Sequence, residues 1–94
     1  MSQLADCPEI PDRAAHVTHA LMEAWSAAGG SAPVTTAEVC EYDSEALTPR
    51  HTAAALIQAR RLGLANGGRG LWFATDRAWA IRRVLEDRFL AEVA

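Results

Sequence analysis

Thr48–Thr75 reads TPRHTAAALIQARRLGLANGGRGLWFAT. Thr48 is a good helix N-cap, and Pro49 suits the first helical position, where its missing N–H removes no bond. Gly63 can close the helix in the left-handed conformation, so a helix is predicted over about 49–62. Leu64-Ala65 and Leu71-Trp72-Phe73 then supply two short strands around a tip of Gly67, Gly68, Arg69 and Gly70. A glycine-rich tip of this kind closes a hairpin, here about 64–74.

Projected at 100° per residue, Arg50, His51, Ala54, Gln58 and Arg61 collect on one arc of this helix. Leu56, Ala59, Thr52, Ala53 and Gly63 collect roughly opposite, with Ile57 and Leu62 at the borders. One face is fit to pack. The other offers donors separated by small side chains, which suits a helix lying in a major groove, although exposed Arg and Gln also serve any solvent-facing helix.

Working outward, Thr75 caps a last helix over about 76–93, with Asp76 at its positive end. Ala78, Ile81, Leu85, Phe89 and Val93 form its main stripe, and Ala80, Val84, Ala91, Trp79 and Leu90 add further apolar lines. Surplus apolar surface on a terminal helix points to a second copy of the chain, with Ile81, Leu85, Phe89 and Val93 as the dimer interface. The alternative is that the first helix covers it within one chain.

On the other side, Asp43–Leu47 forms a turn, with Leu47 placed to staple onto the helix after it. Thr35-Thr36-Ala37-Glu38 matches a capping box opening a brief helix over 36–42, its inward residues Val39 and Cys40. Ser31–Val34 leaves room for a very short strand. Asp12 can cap a helix over about 13–28 that ends at Gly29-Gly30. Ala14, Val17, Leu21, Ala24, Trp25 and Ala28 form its core stripe, with His16, His19, Glu23 and Ser26 on the opposite face. Residues 1–12, with Pro8 and Pro11, read as a flexible N-terminal arm.

The 94 residues make one small domain, 13–94, and the many alanines bury little area each. A net charge of −3 conceals a division. Residues 1–48 hold Arg13 against eight acids, whereas residues 49–94 hold eight arginines against four. That asymmetry points to an anionic partner for the second half. The chain reaches no apolar run near the ~20 residues of a membrane span and shows no signal-peptide pattern, so the expectation is cytoplasmic, with Cys7 and Cys40 as free thiols.

The order helix, short strand, helix, turn, helix, two-stranded wing, helix resembles the winged helix-turn-helix of small bacterial and phage transcription regulators. The expected fold class is thus mainly α with a small β-hairpin wing. Leu56–Ala65, L-x-x-A-x-x-x-G-L-A, is similar to the L-x-x-L-x-x-x-G-L-V that ends recognition helices, with Ala59 where leucine is usual. Leu71–Ala78 looks like a wing strand running into the dimerisation helix of MarR- or PadR-like regulators. The resemblance implies sequence-specific binding of double-stranded DNA by a homodimer, without a cofactor. It implies that Arg50, His51, Ala54 and Gln58 face the groove, with Thr52 in the same DNA-binding set. Arg61 would touch phosphate, and Arg69 the minor groove or backbone. Glu38, Glu41, Asp43 and Glu45 precede the reading helix and must then point away from phosphate. The alternative is a winged-helix module whose acidic first half contacts a protein partner.

His16-x-x-His19-x-x-x-Glu23 puts three metal-ligating types on one helix face. Two solvated histidines and a glutamate are the preferred reading, and no metal is expected. With no phosphate loop, no G-x-S-x-G and no paired C-x-x-C, the sequence points away from an enzyme.

Overall fold

The computed structural model describes residues 10–46 and 48–93, with side chains to residue 87. In chain order it has α1 (Asp12–Ala27), β1 (Val34–Thr35), α2 (Thr36–Tyr42), α3 (Pro49–Arg61), β2 (Ala65–Gly68), β3 (Leu71–Ala74), α4 (Asp76–Ala80) and α5 (Arg82–Val93). The architecture is mainly helical with one antiparallel three-stranded sheet, ordered β1-β3-β2. Val34 pairs with Trp72 and Thr35 with Leu71, so the connector after α1 returns to the far side of the hairpin's second strand.

α1 is the hub. It packs against α2, α3, α5 and β3, and every residue from Ala14 to Met22 is buried. This revises the expectation of a solvated face at His16 and His19. The stripe of alanines lets neighbours close in on several sides, so polar side chains are enclosed as well. Their burial is compensated: the Thr18 hydroxyl donates to the Ala14 carbonyl at 2.7 Å. The core also takes in Ile10, only 4% exposed, so the expected arm is anchored at that residue. Residues 1–9 of the arm, with Cys7, and the staple at Leu47 lie outside the described residues.

Thr35 ends β1 and caps α2. Its hydroxyl accepts from the Glu38 N–H at 3.1 Å, and the Glu38 carboxylate accepts from the Thr35 N–H at 2.9 Å. Both halves of a capping box are present. Thr35→Ala is expected to lower stability by about 1 kcal/mol, read as a reduced midpoint in urea denaturation at unchanged slope.

Three other helix features differ from expectation. Asp12 is the first residue of α1 and not its cap, a place taken by Pro11, which has no side-chain bond to give. The Thr48 side chain makes no capping bond. Its backbone carbonyl already accepts from the His51 and Thr52 N–H groups, at 3.0 and 3.4 Å, so the third-residue donor is engaged. The last helix is broken at Ile81 (φ −107°, ψ 18°) into α4 and α5, at a place where neither glycine nor proline marks the sequence.

Ile81 and Leu85 are buried in the chain's own core. This corrects their assignment to a dimer interface: α1 covers them, as the alternative reading had it. The side chains of Phe89 and Val93 lie outside the described residues. Trp79 is half-buried against Trp25, with ring centroids 5.7 Å apart. Among the described residues, no helix is long and apolar enough to cross a membrane.

Candidate nucleic-acid interface

α3 is placed by a buried polar knot at its N-terminal end. Asp43, in the turn after α2, has a fully buried side chain. Arg13 of α1 grips it with both terminal nitrogens, each 2.7 Å from a carboxylate oxygen. Thr52 of α3 donates to Oδ2 at 2.9 Å, and His16 Nε2 lies 3.7 Å from Oδ1. Burial alone would raise the Asp43 pKa. The hydrogen bonds from Arg13 and Thr52, with the Arg13 charge, outweigh it and hold the carboxyl below its ordinary value. α1, the turn and α3 are thereby locked in one orientation.

Thr52 is fully buried in this knot. It is corrected from the DNA-binding set to a positioning role, as its place on the packed face of the helix requires. The other candidates lie differently. Arg50, His51, Ala54 and Arg61 are exposed and Gln58 is half-buried. His51, Ala54 and Gln58 border a shallow depression shared with Arg13, Ala55 and Glu45.

The C-terminal end of α3 is fixed by Gly63 and Arg60. At φ +79°, Gly63 lets the Leu64 N–H reach back to the Ala59 carbonyl at 2.9 Å while its own N–H donates to Arg60. This double bond pattern ends the helix and turns the chain into β2. Arg60 donates to the Gly67 carbonyl at 2.8 Å, and its guanidinium lies 5.6 Å from the Trp72 ring centroid. Helix and hairpin are thus clamped together by a residue whose role the sequence did not disclose. Arg60 falls on the flank of α3 facing the hairpin, at the edge of the packed arc, and only the placement of Trp72 and Gly67 explains it.

The hairpin is closed by Arg69-Gly70 alone, since Gly68 pairs with Leu71. Both turn residues have positive φ, +56° for Arg69 and +81° for Gly70, as a type I′ turn requires. Asparagine or glycine is favoured at the first of these positions. An arginine there is exposed at the tip in a left-handed conformation that costs roughly 1–2 kcal/mol, and such an outlier points toward function.

The electrostatics of this surface are one-sided. Residues 46–75 contain Arg50, Arg60, Arg61 and Arg69 and not one carboxylate. Of the acids just upstream, Asp43 is enclosed, Glu38 is bonded in its capping box and Glu45 lies 3.5 Å from Arg13. Glu41 is exposed.

The three metal candidates do not form one group. His16 Nε2 lies 3.2 Å from the Ser44 hydroxyl, whereas His19 Nε2 lies 3.7 Å from Glu23. Burial lowers the His19 pKa against the opposing pull of Glu23 and Glu86. Among the described residues, no three His, Cys, Asp or Glu side chains are grouped to hold a metal ion. Cys40 is a half-buried free thiol. No protein-family model, curated protein or solved structure matches the chain.

Proposed function

We propose that this chain binds double-stranded DNA as a small transcription regulator of winged helix-turn-helix type. α3 lies in the major groove, and the β2–β3 hairpin touches the backbone or minor groove. The observation carrying this reading is the set of exposed arginines from α3 to the hairpin tip, Arg50, Arg61 and Arg69, within a segment, 46–75, that holds no carboxylate, while Asp43 is enclosed and Glu38 and Glu45 are engaged by the Thr35 N–H and Arg13. The element order and the β1-β3-β2 sheet agree with it at the level of fold analogy. Arg60 adds a mechanical argument, since a helix and hairpin clamped together engage DNA with little ordering loss.

A salt titration with a random duplex, followed by fluorescence anisotropy, tests the proposal. Phosphate contacts give a linear fall of log affinity against log salt, with a slope of about −0.9 per contact. No binding at low salt overturns it. A second reading, a winged-helix protein-interaction module, is favoured by Leu71 and Phe73, which stand exposed on the outer face of β3. It predicts that absence of binding.

Within the DNA reading the arginines divide their work. Arg50→Ala lowers affinity and relaxes sequence preference, by about 1–3 kcal/mol at the position read. Arg69→Asn has two effects of opposite sign. It relieves the left-handed strain and raises stability by roughly 1 kcal/mol, seen as a higher melting temperature. It also weakens binding to all sequences alike and reduces the salt slope by about one. An Arg69→Asn chain that binds as tightly as its parent refutes the role given to the hairpin tip.

A further inference from the structure

Ile57 stands where a solvent-facing helix ordinarily carries a polar residue. Residues 50, 54, 57 and 61 follow the i, i+4, i+7, i+11 spacing of one helical row, so Arg50, Ala54, Ile57 and Arg61 stand in line along α3. All four are exposed, Ile57 at 37%. The flanks of the row are engaged elsewhere: His51 and Gln58 border the depression toward α1, and Arg60 is drawn onto the hairpin. The centre of the row is therefore a branched hydrocarbon beside a methyl group, set between two arginines whose backbone positions are about 16 Å apart along the helix axis.

A lone exposed isoleucine is unremarkable on a protein surface. This one lies in a segment, residues 46 to 75, that carries four arginines and no carboxylate. A matching partner must be anionic at its rims and apolar at a defined point between them. The major groove of DNA has that form, with phosphates along its edges and the thymine C5-methyl as the apolar group on its floor. Resting on the DNA-binding reading above, we infer that Ile57, with Ala54 beside it, contacts thymine 5-methyl groups and is a specificity-determining residue of the chain. The arginines then supply affinity and register, while Ile57 distinguishes thymine from cytosine at the base it covers.

The test uses the full chain to select duplexes from a random pool. Each thymine of the enriched site is then replaced singly by uracil, which removes the methyl and leaves every hydrogen-bonding group in place. One or two replacements in the enriched site are expected to weaken binding about fourfold each, the worth of one methyl group taken out of water. Ile57→Ala should bind the thymine and uracil duplexes alike at those positions, with an unchanged circular dichroism spectrum and melting curve. Uracil tolerated at every position, or an Ile57→Ala chain that keeps its thymine preference, overturns the inference and leaves DNA binding standing. Failure to retain any duplex at low salt overturns both.

Discussion

Asp43→Ala is expected to destabilise the domain by about 3 kcal/mol, a fall in melting temperature of roughly 12–24 °C for a domain of this size. The carboxylate is fully buried and accepts three short hydrogen bonds, two from Arg13 and one from Thr52. Its removal leaves the buried Thr52 hydroxyl without its acceptor and the Arg13 guanidinium without its counter-charge. The figure sits at the low end for a broken buried pair because the Arg13 side chain is 30% exposed and can recover water. Asp43→Asn keeps the shape and one acceptor oxygen, so its loss is smaller.

The acid limb of the stability curve separates the two variants from the parent. A carboxyl whose folded pKa lies below its unfolded value adds stability above the unfolded pKa and loses it as pH falls through the folded one. Asp43 is of this kind, since Arg13 and Thr52 more than offset its burial. The parent chain therefore loses stability as pH drops below about 4, and Asp43→Asn shows a flatter profile there. Urea midpoints measured at a series of pH values give both results. Parallel acid limbs for parent and variant refute the assignment.

Much of the frame was legible because local chemistry announces it. The capping box at Thr35 and Glu38, the Gly63 stop and the glycine-rich hairpin tip each act within a few residues, and each marks its own element boundary. What was illegible depended on contacts distant in sequence. α1 looked two-faced because periodicity sorts residues by type, yet His16 and His19 of the expected polar face are buried, His16 with the Ser44 hydroxyl 3.2 Å from its Nε2. Asp43 looked like one acid in an acidic run until Arg13, 30 residues earlier, closed on it. Ile81 and Leu85 were assigned to a dimer interface because the last helix carried more apolar lines than one packed face needs, and α1's capacity to cover the main stripe could not be counted from a helical wheel. Ile57 looked like a border residue, and its exposure became clear only once Arg60 and Gln58 defined the flanks of α3.

Gly67→Ala should be the most damaging single-atom change in the hairpin, with a loss of about 3 kcal/mol or more. Gly67 has φ +125°, where L side chains are rarely found, and a Cβ there would stand 2.1 Å from the Leu71 carbonyl oxygen. The atoms it would meet, in Leu71 and Trp72, are all backbone, so no rotamer change can relieve the clash, and the strands must separate. β3 is the central strand, paired on both sides, and it carries the buried Trp72 and Ala74 into the core. The damage therefore spreads from the hairpin to the sheet, and it releases Arg60 from the Gly67 carbonyl as well. The neighbouring Gly68 is the control: its φ is not in the left-handed range and an added Cβ meets only the end of the flexible Arg60 side chain, at 3.5 Å. Gly68→Ala should melt within about 0.5 kcal/mol of the parent, as a surface substitution does. Thermal denaturation of the two variants side by side decides the matter. Equal melting temperatures would mean that the hairpin tolerates a side chain at residue 67, and the close pairing that holds helix and hairpin together would have to be abandoned.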